Sequence, residues 1–321
     1  MTHKELLLHA LQRKAPVKGT RVPHFELAFF PTMEAFGEVH PRHRAYSQWH
    51  QMKPSERELH RNNIAGLAIK IAEKFDHSAI MVPVITSIYD VEENVRMMEL
   101  IRKKSKDEYA LCLGGYDGTV AIPDGDSMVD FSFKLIDAPD EIKDSHQKVI
   151  DKCIDAVKNI SKQSKVDALF LTCDYCFNNG PFLSPDQFAE FVFPQLKYEI
   201  DAFRALGCYT IKHTDGNIMP IVEQLVNAGP DALHSLDPQG EVDIAELKKT
   251  YGNKIALMGN VNCGLMDTGT DEQAIESATY AIKHGKPGGG YIFSTSNCVY
   301  TGMELRKYEL VLEVWRKLGN Y

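Results

Sequence analysis

The stretch Ile211-Lys212-His213-Thr214-Asp215-Gly216-Asn217 marks a sharp change in sequence pattern. The apolar run that leads into it, from Cys208 to Ile211, is typical of a buried strand, and apolar residues at helical spacing follow it. In α/β folds, functional side chains gather at the carboxyl ends of the strands. His213 and Asp215 lie two residues apart on extended chain, so they point the same way and can share a metal ion or a proton. The alternative is a buried, hydrogen-bonded histidine followed by an aspartate that caps the next helix.

The composition is that of an ordinary soluble globular protein, with 321 residues of which 44% are hydrophobic and 25% charged. The net charge of −8 and the lack of a Lys/Arg stripe argue against nucleic acid as a partner. We expect no membrane partner either, because no apolar stretch has the length of a signal peptide or a membrane span. The seven cysteines are scattered and odd in number, which predicts free thiols in a reducing cytoplasm.

Strands alternate with helices along the whole chain. Thr2 and Glu5 have capping-box spacing and open a helix that precedes the first strand. Eight strands are predicted, at residues 21–30, 78–85, 109–113, 166–172, 208–211, 231–236, 254–258 and 291–294. This pattern predicts an α/β protein, a (β/α)₈ TIM barrel with an N-terminal helical extension. No domain boundary stands out, so we expect residues 1–321 to form a single domain.

Several other segments bear on function. His24 and Glu26 interrupt the apolar first strand and must find partners, for example each other as an ion pair. The long loop from Pro31 to Pro54 is typical of a functional or lid-like segment. Residues 119–136 lack clear periodicity and could cover the open end of the fold. The spacing Cys173-Asp174-Tyr175-Cys176 is that of a redox pair, but no helix begins directly after it, which disfavours a thioredoxin-like role.

Polar residues recur at the predicted strand ends and would face one cavity in a barrel. They are Glu26, Asp117, Asp174, His213, Asp215, Asp237, Asn260 and Cys298. A neutral imidazole from His213 and a thiolate from Cys298 suit Zn²⁺ well. Glu26 or Asp215 would then be the third ligand, leaving an open position at which the metal polarises a substrate oxygen. Asp174 is placed to bind or polarise the substrate, and the alternative for Cys298 is a packed thiol.

The second half of the chain resembles the uroporphyrinogen decarboxylase superfamily. The motifs that carry the resemblance are Gly180-Pro181-Phe182-Leu183-Ser184-Pro185, His213-Thr214-Asp215-Gly216-Asn217, Met258-Gly259-Asn260-Val261-Asn262 and Pro287-Gly288-Gly289-Gly290-Tyr291-Ile292. They occur in the order typical of the family and, with the segments between them, span nearly half of the chain. The resemblance implies a (β/α)₈ barrel, in agreement with the strand pattern.

The first strand indicates which branch of the superfamily the chain resembles. The decarboxylases carry an Arg-rich segment after this strand, which neutralises the carboxylates of their substrate. The equivalent residues 25–34 contain no Arg and two Glu, so they would repel an acidic tetrapyrrole. The chain is more similar to the zinc-dependent corrinoid (cobamide) methyltransferases, whose zinc is held by a His-x-Cys pair and a distant Cys.

That resemblance implies roles for individual residues. His213 and Cys298 match the first and last zinc ligands, Asp215 stands where the middle Cys would be, and Glu26 would replace the missing thiolate. A carboxylate near the metal suits an oxygen substrate, as in O-demethylation of a small, methoxylated and for instance aromatic donor. Asp215 and Asp174 would be catalytic, and Asn260 and Tyr116 would contact the cofactor.

The methyl acceptor is expected on another protein. The chain contains no Asp-x-His-x-x-Gly signature for binding cobalamin, so the corrinoid would arrive on a partner protein. Two alternatives remain open at this point. One is a metal-free decarboxylase acting on uroporphyrinogen III, with Asp174 or Asp215 facing the pyrrole nitrogens, and the other is a barrel that binds a ligand without catalysis.

Overall fold

The computed structural model describes residues 1–44 and 46–321, which contain nine strands and thirteen α-helices. The strands are β1 (Ala79–Met81), β2 (Ala110–Gly114), β3 (Ala168–Leu171), β4 (Cys176–Phe177), β5 (Gly180–Pro181), β6 (Tyr209–Thr214), β7 (Ala232–Ser235), β8 (Ala256–Val261) and β9 (Tyr291–Thr295). The helices are α1 (His3–Leu11), α2 (Thr32–Phe36), α3 (Pro54–Phe75), α4 (Val91–Ser105), α5 (Met128–Asp137), α6 (Pro139–Ser161), α7 (Pro185–Phe191), α8 (Phe193–Ala205), α9 (Val222–Ala228), α10 (Ile244–Tyr251), α11 (Cys263–Thr268), α12 (Asp271–Gly285) and α13 (Leu305–Leu318). Short 3₁₀ turns lie at Pro41–His43, Trp49–Gln51, Met219–Ile221 and Pro238–Gly240.

Seven of the strands form one curled parallel sheet in the order β1-β2-β3-β6-β7-β8-β9, while β4 and β5 form a separate antiparallel pair. Helices separate the successive strands of the large sheet along the chain, so the predicted α/β class is confirmed. Strand β6 extends three residues beyond its predicted end at Ile211. It does so because Lys212, His213 and Thr214 still pair with a neighbouring strand, although their side chains are polar.

The predicted first strand, residues 21–30, is extended but makes only isolated β-bridges. The Phe293 N–H donates to the Pro23 carbonyl at 2.9 Å, and the Ser78 N–H donates to the His24 carbonyl at 2.6 Å. These two bonds join β9 to the start of β1, so the segment connects the two edges of the sheet. Its ladder stays incomplete partly because Pro23 has no N–H to donate. The strand prediction is therefore wrong in extent and right in position.

Helix α1 covers the amino-terminal end of the sheet. The predicted capping box of Thr2 and Glu5 is present at its start. Leu7 and Leu11 are fully buried. They pack in one cluster with small side chains from the inner face of the sheet, namely Ala79, Ala110, Ala168, Ala232 and Ala256. Burial of these leucines closes the end of the sheet opposite to the carboxyl ends of the strands.

The segment predicted as a cover contains a helix, α5, near the carboxyl ends of the strands. The ring of Phe131 packs at 5.9 Å from that of Phe182, which anchors one side of the helix. Val129, Phe133 and Ile136 on the same helix are exposed. Among the helices that the structure describes, none combines the length and apolar character needed to cross a membrane. All seven cysteines are free thiols, as predicted.

Candidate metal centre

The carboxyl ends of the parallel strands surround the main cavity of the protein, and we call this end the mouth. The cavity has a volume of ≈ 540 Å³. Its polar lining includes the side chains of Glu26, Asp174, His213, Asp215, Asn297 and Cys298. A second cavity of ≈ 360 Å³ adjoins it, and Asp215 and Asn297 line both. Most of the residues that were predicted to meet at the strand ends therefore do so.

Three of these side chains form a compact group of potential metal ligands. One ligand atom from each of Asp174, His213 and Asp215 lies within 4.8 Å of the other two. The Nε2 atom of His213 is 3.6 Å from Asp174 Oδ1 and 3.8 Å from Asp215 Oδ1. The order of the chain explains the group, because Asp174 follows β3, His213 lies near the end of β6, which pairs with β3, and Asp215 directly follows β6.

The hydrogen bonds behind His213 determine which of its nitrogens carries the proton. His234 Nε2 lies 3.2 Å from the Thr295 carbonyl, which can only accept, so Nε2 of His234 bears its proton. Burial keeps the pKa of His234 well below its usual value, so His234 is neutral and its Nδ1 is an acceptor. The 2.8 Å contact between the two Nδ1 atoms is then a bond donated by His213. His213 therefore presents the lone pair of Nε2 to the cavity.

The electrostatics of this group favour a cation. Burial lowers the pKa of His213 to about 3, so its Nε2 lone pair is available at neutral pH. Burial also raises the pKa of Asp215 to about 7, to which the negative charges of Asp174 and Asp237 contribute, and burial raises the pKa of Asp174. A divalent cation would remove this repulsion.

The hydrogen bonds around Asp215 fix its carboxylate. Ser235 Oγ donates to Oδ1 at 2.7 Å, and the Asn297 amide donates to Oδ2. Ser235 has a φ of 82°, a left-handed conformation that strains a residue with a side chain. The Asn260 amide donates to the carbonyl of the next residue, Leu236, at 2.9 Å and so supports this turn. Strained backbone of this kind is typical of functional sites.

Gly216 allows the chain to turn directly after Asp215. Its φ of 75° is left-handed, and a Cβ atom there would lie 2.5 Å from the Phe177 carbonyl. Only glycine allows β4 to approach this closely to position 216, which directly follows the potential ligand Asp215.

The geometry of the group suits a tetrahedral metal ion. Zinc–ligand bonds of about 2.0 Å place tetrahedral donors roughly 3.3 Å apart, and the two distances from His213 Nε2 are slightly longer. One imidazole and two carboxylates are ligands that zinc accepts, with a fourth position left for a substrate. The side chain of Asp174 is 48% exposed, so the group is open towards the mouth.

The two other predicted zinc ligands, Glu26 and Cys298, line the same cavity, yet neither belongs to this group within the described chain. Glu26 is held elsewhere, since its Oε2 accepts hydrogen bonds from Thr295 N at 3.0 Å, Thr295 Oγ1 at 2.6 Å and Ser294 Oγ at 3.0 Å. Burial raises the pKa of the Cys298 thiol to about 12. The compact group therefore offers nitrogen and oxygen donors, from Asp174, His213 and Asp215, and the ligand roles of Glu26 and Cys298 stay predictions.

Tyr116 and Asn260, which were predicted to contact a cofactor, do not line either cavity in the described structure. The Tyr116 side chain is buried, and its hydroxyl donates to the Ile88 carbonyl. Asn260 is buried below the mouth and bonds the backbone. Both side chains are thus committed to the scaffold.

His24 finds neutral partners and not the predicted ion pair. Its Nδ1 lies 3.0 Å from the Phe293 carbonyl, and its Nε2 lies 3.1 Å from the Tyr308 hydroxyl. The nearest oxygen of Glu26 is 3.9 Å away. Burial lowers the pKa of His24 to about 4, so the ring is uncharged at neutral pH.

Sequence patterns did not indicate three residues of the site, His234, Ser235 and Asn297. His234 and Ser235 lie within a predicted strand, and a polar residue inside such a strand signals that a buried partner is required. The partner itself depends on register, because His213 meets His234 only through the pairing of β6 with β7. Asn297 follows β9 and could have been found as one more polar strand end.

A curled parallel sheet with ionisable side chains at the carboxyl ends of its strands defines the general class, an α/β protein with a site at one end. The family model of uroporphyrinogen decarboxylase (URO-D) matches residues 125–318, more than half of the chain. The chain belongs to this family. The predicted family resemblance is thereby confirmed.

Two solved structures illustrate the range of similarity in fold. A methyltransferase from Methanosarcina mazei aligns over 99% of both chains with a TM-score of 0.76 and 17% identity, which establishes a shared fold. A D-psicose 3-epimerase from Clostridium cellulolyticum H10 aligns over 80% of this chain and 94% of its own with a TM-score of 0.48 and 10% identity, too distant to bear on function. No curated protein sequence matches the chain.

Proposed function

We propose that this protein is the zinc-dependent methyltransferase component of a corrinoid system. It would move the methyl group of a small methoxylated donor to a corrinoid on a separate protein, in the cytoplasm. The observation that carries the proposal is the Asp174–His213–Asp215 group, with a lone pair and two carboxylates directed at one point. We further propose that residues 1–321 are a single domain with the (β/α)₈ barrel architecture, in which residues 21–30 take the place of the first strand.

A bound Zn²⁺ would supply a Lewis acid that draws electron density from the ether oxygen of the donor. His213 holds its Nε2 towards that position because its Nδ1–H donates a hydrogen bond to His234. Asp215 is the fixed carboxylate, bound through both oxygens by Ser235 and Asn297. These residues therefore orient the site before any substrate enters.

Asp174 is suited to handle the proton that the reaction requires. Methyl transfer would break the bond between the donor oxygen and the methyl carbon, with the partner's corrinoid as the methyl acceptor, and the donor oxygen would take up one proton to become an alcohol. Asp174 is half-exposed, and the hydrogen bond from the Asp215 N–H to its Oδ1 at 3.2 Å leaves its second oxygen free. Its exposed second oxygen can relay that proton from solvent to the donor oxygen.

The decarboxylase alternative has less support from the charges of the cavity. Among the described residues that line it, Arg42 is the one Lys or Arg, whereas Glu26, Asp174 and Asp215 are acidic. A substrate with several carboxylates requires several cations to offset its charge. The cavity is therefore a poor fit for an acidic tetrapyrrole.

Zinc binding and methyl transfer test the proposal together. We expect one equivalent of Zn²⁺ to bind in calorimetry, and the loaded protein to convert cob(I)alamin, as a surrogate acceptor, to methylcobalamin with a methoxylated donor. H213A and D215N should each lower zinc affinity by about 100-fold or more, since each removes one of few ligands. The control D201N, on the exposed face of α8, should bind zinc as the wild type does. Tight zinc binding that survives H213A would contradict the proposal.

A further inference from the structure

The wall of the sheet is open beside the metal group, between residues 25–30 and β1. The backbone bond from Ser78 N to His24 O is the last that joins this segment to β1 in the described chain. Beyond it the segment turns to a different neighbour, because Val299 N donates to Ala28 O at 2.9 Å and Phe30 N donates to Val299 O at 2.9 Å. A gap is left where a closed barrel would have a continuous ladder.

The main cavity continues through this gap to helix α3, and we call the continuation the slot. The side chains that α3, β1 and residues 27–29 contribute to it are apolar and include Leu27, Phe29, Leu67, Ala68, Ile71 and Ile80, while His40 and Arg42 line the same cavity. His77 lies at the same side, and burial keeps its pKa well below the usual value, so its ring is neutral. The metal group and the slot are thus two parts of one cavity, the first charged and the second apolar.

The volume is far larger than a methyl donor of minimal size needs. A cavity of roughly 150 Å³ is enough to hold benzene, and this one has a volume of ≈ 540 Å³. Apolar side chains stabilise an apolar group that leaves water, and they do not offset the cost of removing water from a charge. The slot therefore selects ligands by an uncharged, apolar body.

We propose that the slot binds the apolar body of a neutral aromatic or alkyl ligand whose heteroatom lies at Asp174, His213 and Asp215. The assignment of the reacting end depends on the proposed function, whereas binding in the slot does not. In the methyl-transfer reaction the donor would accordingly be a neutral ether with a ring or chain, and not methanol or a methoxylated carboxylate.

The test uses 4-fluoroanisole, a neutral aromatic ether whose binding can be followed by fluorine NMR. The variant A68F fills the slot from α3, and L59F is the control, because Leu59 is on the same helix and 71% exposed. We expect A68F to weaken binding of 4-fluoroanisole by at least about tenfold, and L59F to leave it unchanged. Both variants should bind zinc with wild-type affinity, since neither touches the metal group.

A second variant guards against misfolding. If A68F lowers the unfolding temperature strongly, A28L fills the slot from the opposite wall and should produce the same loss. Wild-type binding of 4-fluoroanisole by either folded variant would overturn the proposal. Tighter binding of 4-methoxybenzoate than of 4-fluoroanisole to the wild type would do so as well, because it would mean that the cavity selects an anion.

The two proposals fail in distinguishable ways. If A68F weakens the binding of 4-fluoroanisole but the wild type does not bind zinc, the slot proposal is supported and the methyltransferase proposal is contradicted. If A68F leaves zinc binding and methyl transfer unaffected with any donor, the methyltransferase proposal is supported and the slot proposal is contradicted.

Discussion

His213 can act as a ligand because another histidine holds its second nitrogen. The contact between the two Nδ1 atoms is 2.8 Å, and His234 is in turn anchored on the Thr295 carbonyl. A metal-binding imidazole commonly donates its other N–H to a neighbouring acceptor, which fixes both tautomer and ring orientation. In this protein a neutral histidine, His234, accepts that hydrogen bond, so the orientation of the candidate ligand His213 depends on a residue that does not line the cavity.

This arrangement predicts different effects for two substitutions of similar size. H234L removes the acceptor and should weaken zinc binding by about 10- to 100-fold, whereas H234N keeps an oxygen near the position of Nδ1 and should weaken it far less. Calorimetry with Zn²⁺ measures the affinities, and nitrogen NMR of the metal-free protein reports the tautomer of His213. Equal affinities in H234L and the wild type would show that His234 is not required.

Asp215 should make the stability of the metal-free protein depend on pH. Its pKa is raised from 3.8 to about 7, mainly by burial, so ionisation is more costly in the folded state. The protonated Asp215 carboxyl contributes its full stabilisation of the folded state at a pH below 3.8, the pKa of the unfolded chain. This contribution is lost as the pH rises through about 7, the pKa of the folded protein. D215N should therefore unfold at a temperature at least about 2 °C above the wild type near pH 8, and the two should converge near pH 4. Thermal unfolding followed by circular dichroism measures both, and a D215N variant that is less stable near pH 8 would contradict this assignment.

At the level of residues, the sequence allowed part of the site to be predicted. His213, Asp215 and Asp174 follow apolar runs directly, and strand ends in α/β folds are a reliable place to look. The ligand roles of Glu26 and Cys298 could not be judged in this way. Whether a side chain at a strand end reaches a common point depends on register and on its hydrogen bonds, such as those that hold Glu26 to Ser294 and Thr295.

At the level of elements, a buried ion pair fastens three consecutive segments below the mouth. Lys212 Nζ, on β6, lies 2.8 Å from Asp117 Oδ2 and 2.8 Å from the Cys173 carbonyl, which follow β2 and β3. Both charged side chains are almost completely buried. The pair holds the loop of Asp174 next to His213, so the position of one candidate ligand depends on it.

Removal of one partner should be costly, since it leaves the other charge buried and unpaired. K212M is expected to lower the free energy of unfolding by about 3–5 kcal/mol. The double variant D117N/K212M should recover part of that loss, because no uncompensated charge remains. Urea denaturation of the three proteins measures both effects, and a K212M variant within about 1 kcal/mol of the wild type would refute the expected role of the pair.

The strands differ in how well a single sequence predicts them. β3, β7 and β9 are short apolar runs between polar turns, and each lies within about two residues of its predicted bounds. The first strand was predicted too long, because its apolar residues Phe29 and Phe30 pack beside Val299 and not in the sheet. The pattern of apolar residues in a sequence indicates which residues are buried, but it does not indicate which neighbouring segment provides their backbone hydrogen bonds.

At the level of the whole molecule, the apolar packing of α1 and the candidate metal group lie at opposite ends of the sheet. Leu7 and Leu11 of α1 pack under the sheet, and the candidate metal group lies at the mouth. L11A should lower the free energy of unfolding by about 2–5 kcal/mol through the space it leaves, while zinc affinity stays within about twofold. Denaturation and calorimetry on the same preparation test this, and a large change in zinc affinity would show that the two ends are coupled.

Helix α1 closes the end of the sheet opposite to the mouth, and this has a consequence for the order of binding in the proposed reaction. In the proposed reaction the donor would reach His213 from the mouth, and the product alcohol would leave by the same route, because α1 closes the opposite end of the sheet. A corrinoid protein bound across the mouth would retain the bound donor and would exclude a second donor molecule. In that reaction the donor would therefore bind before the corrinoid protein, and the product would be released after the corrinoid protein has dissociated.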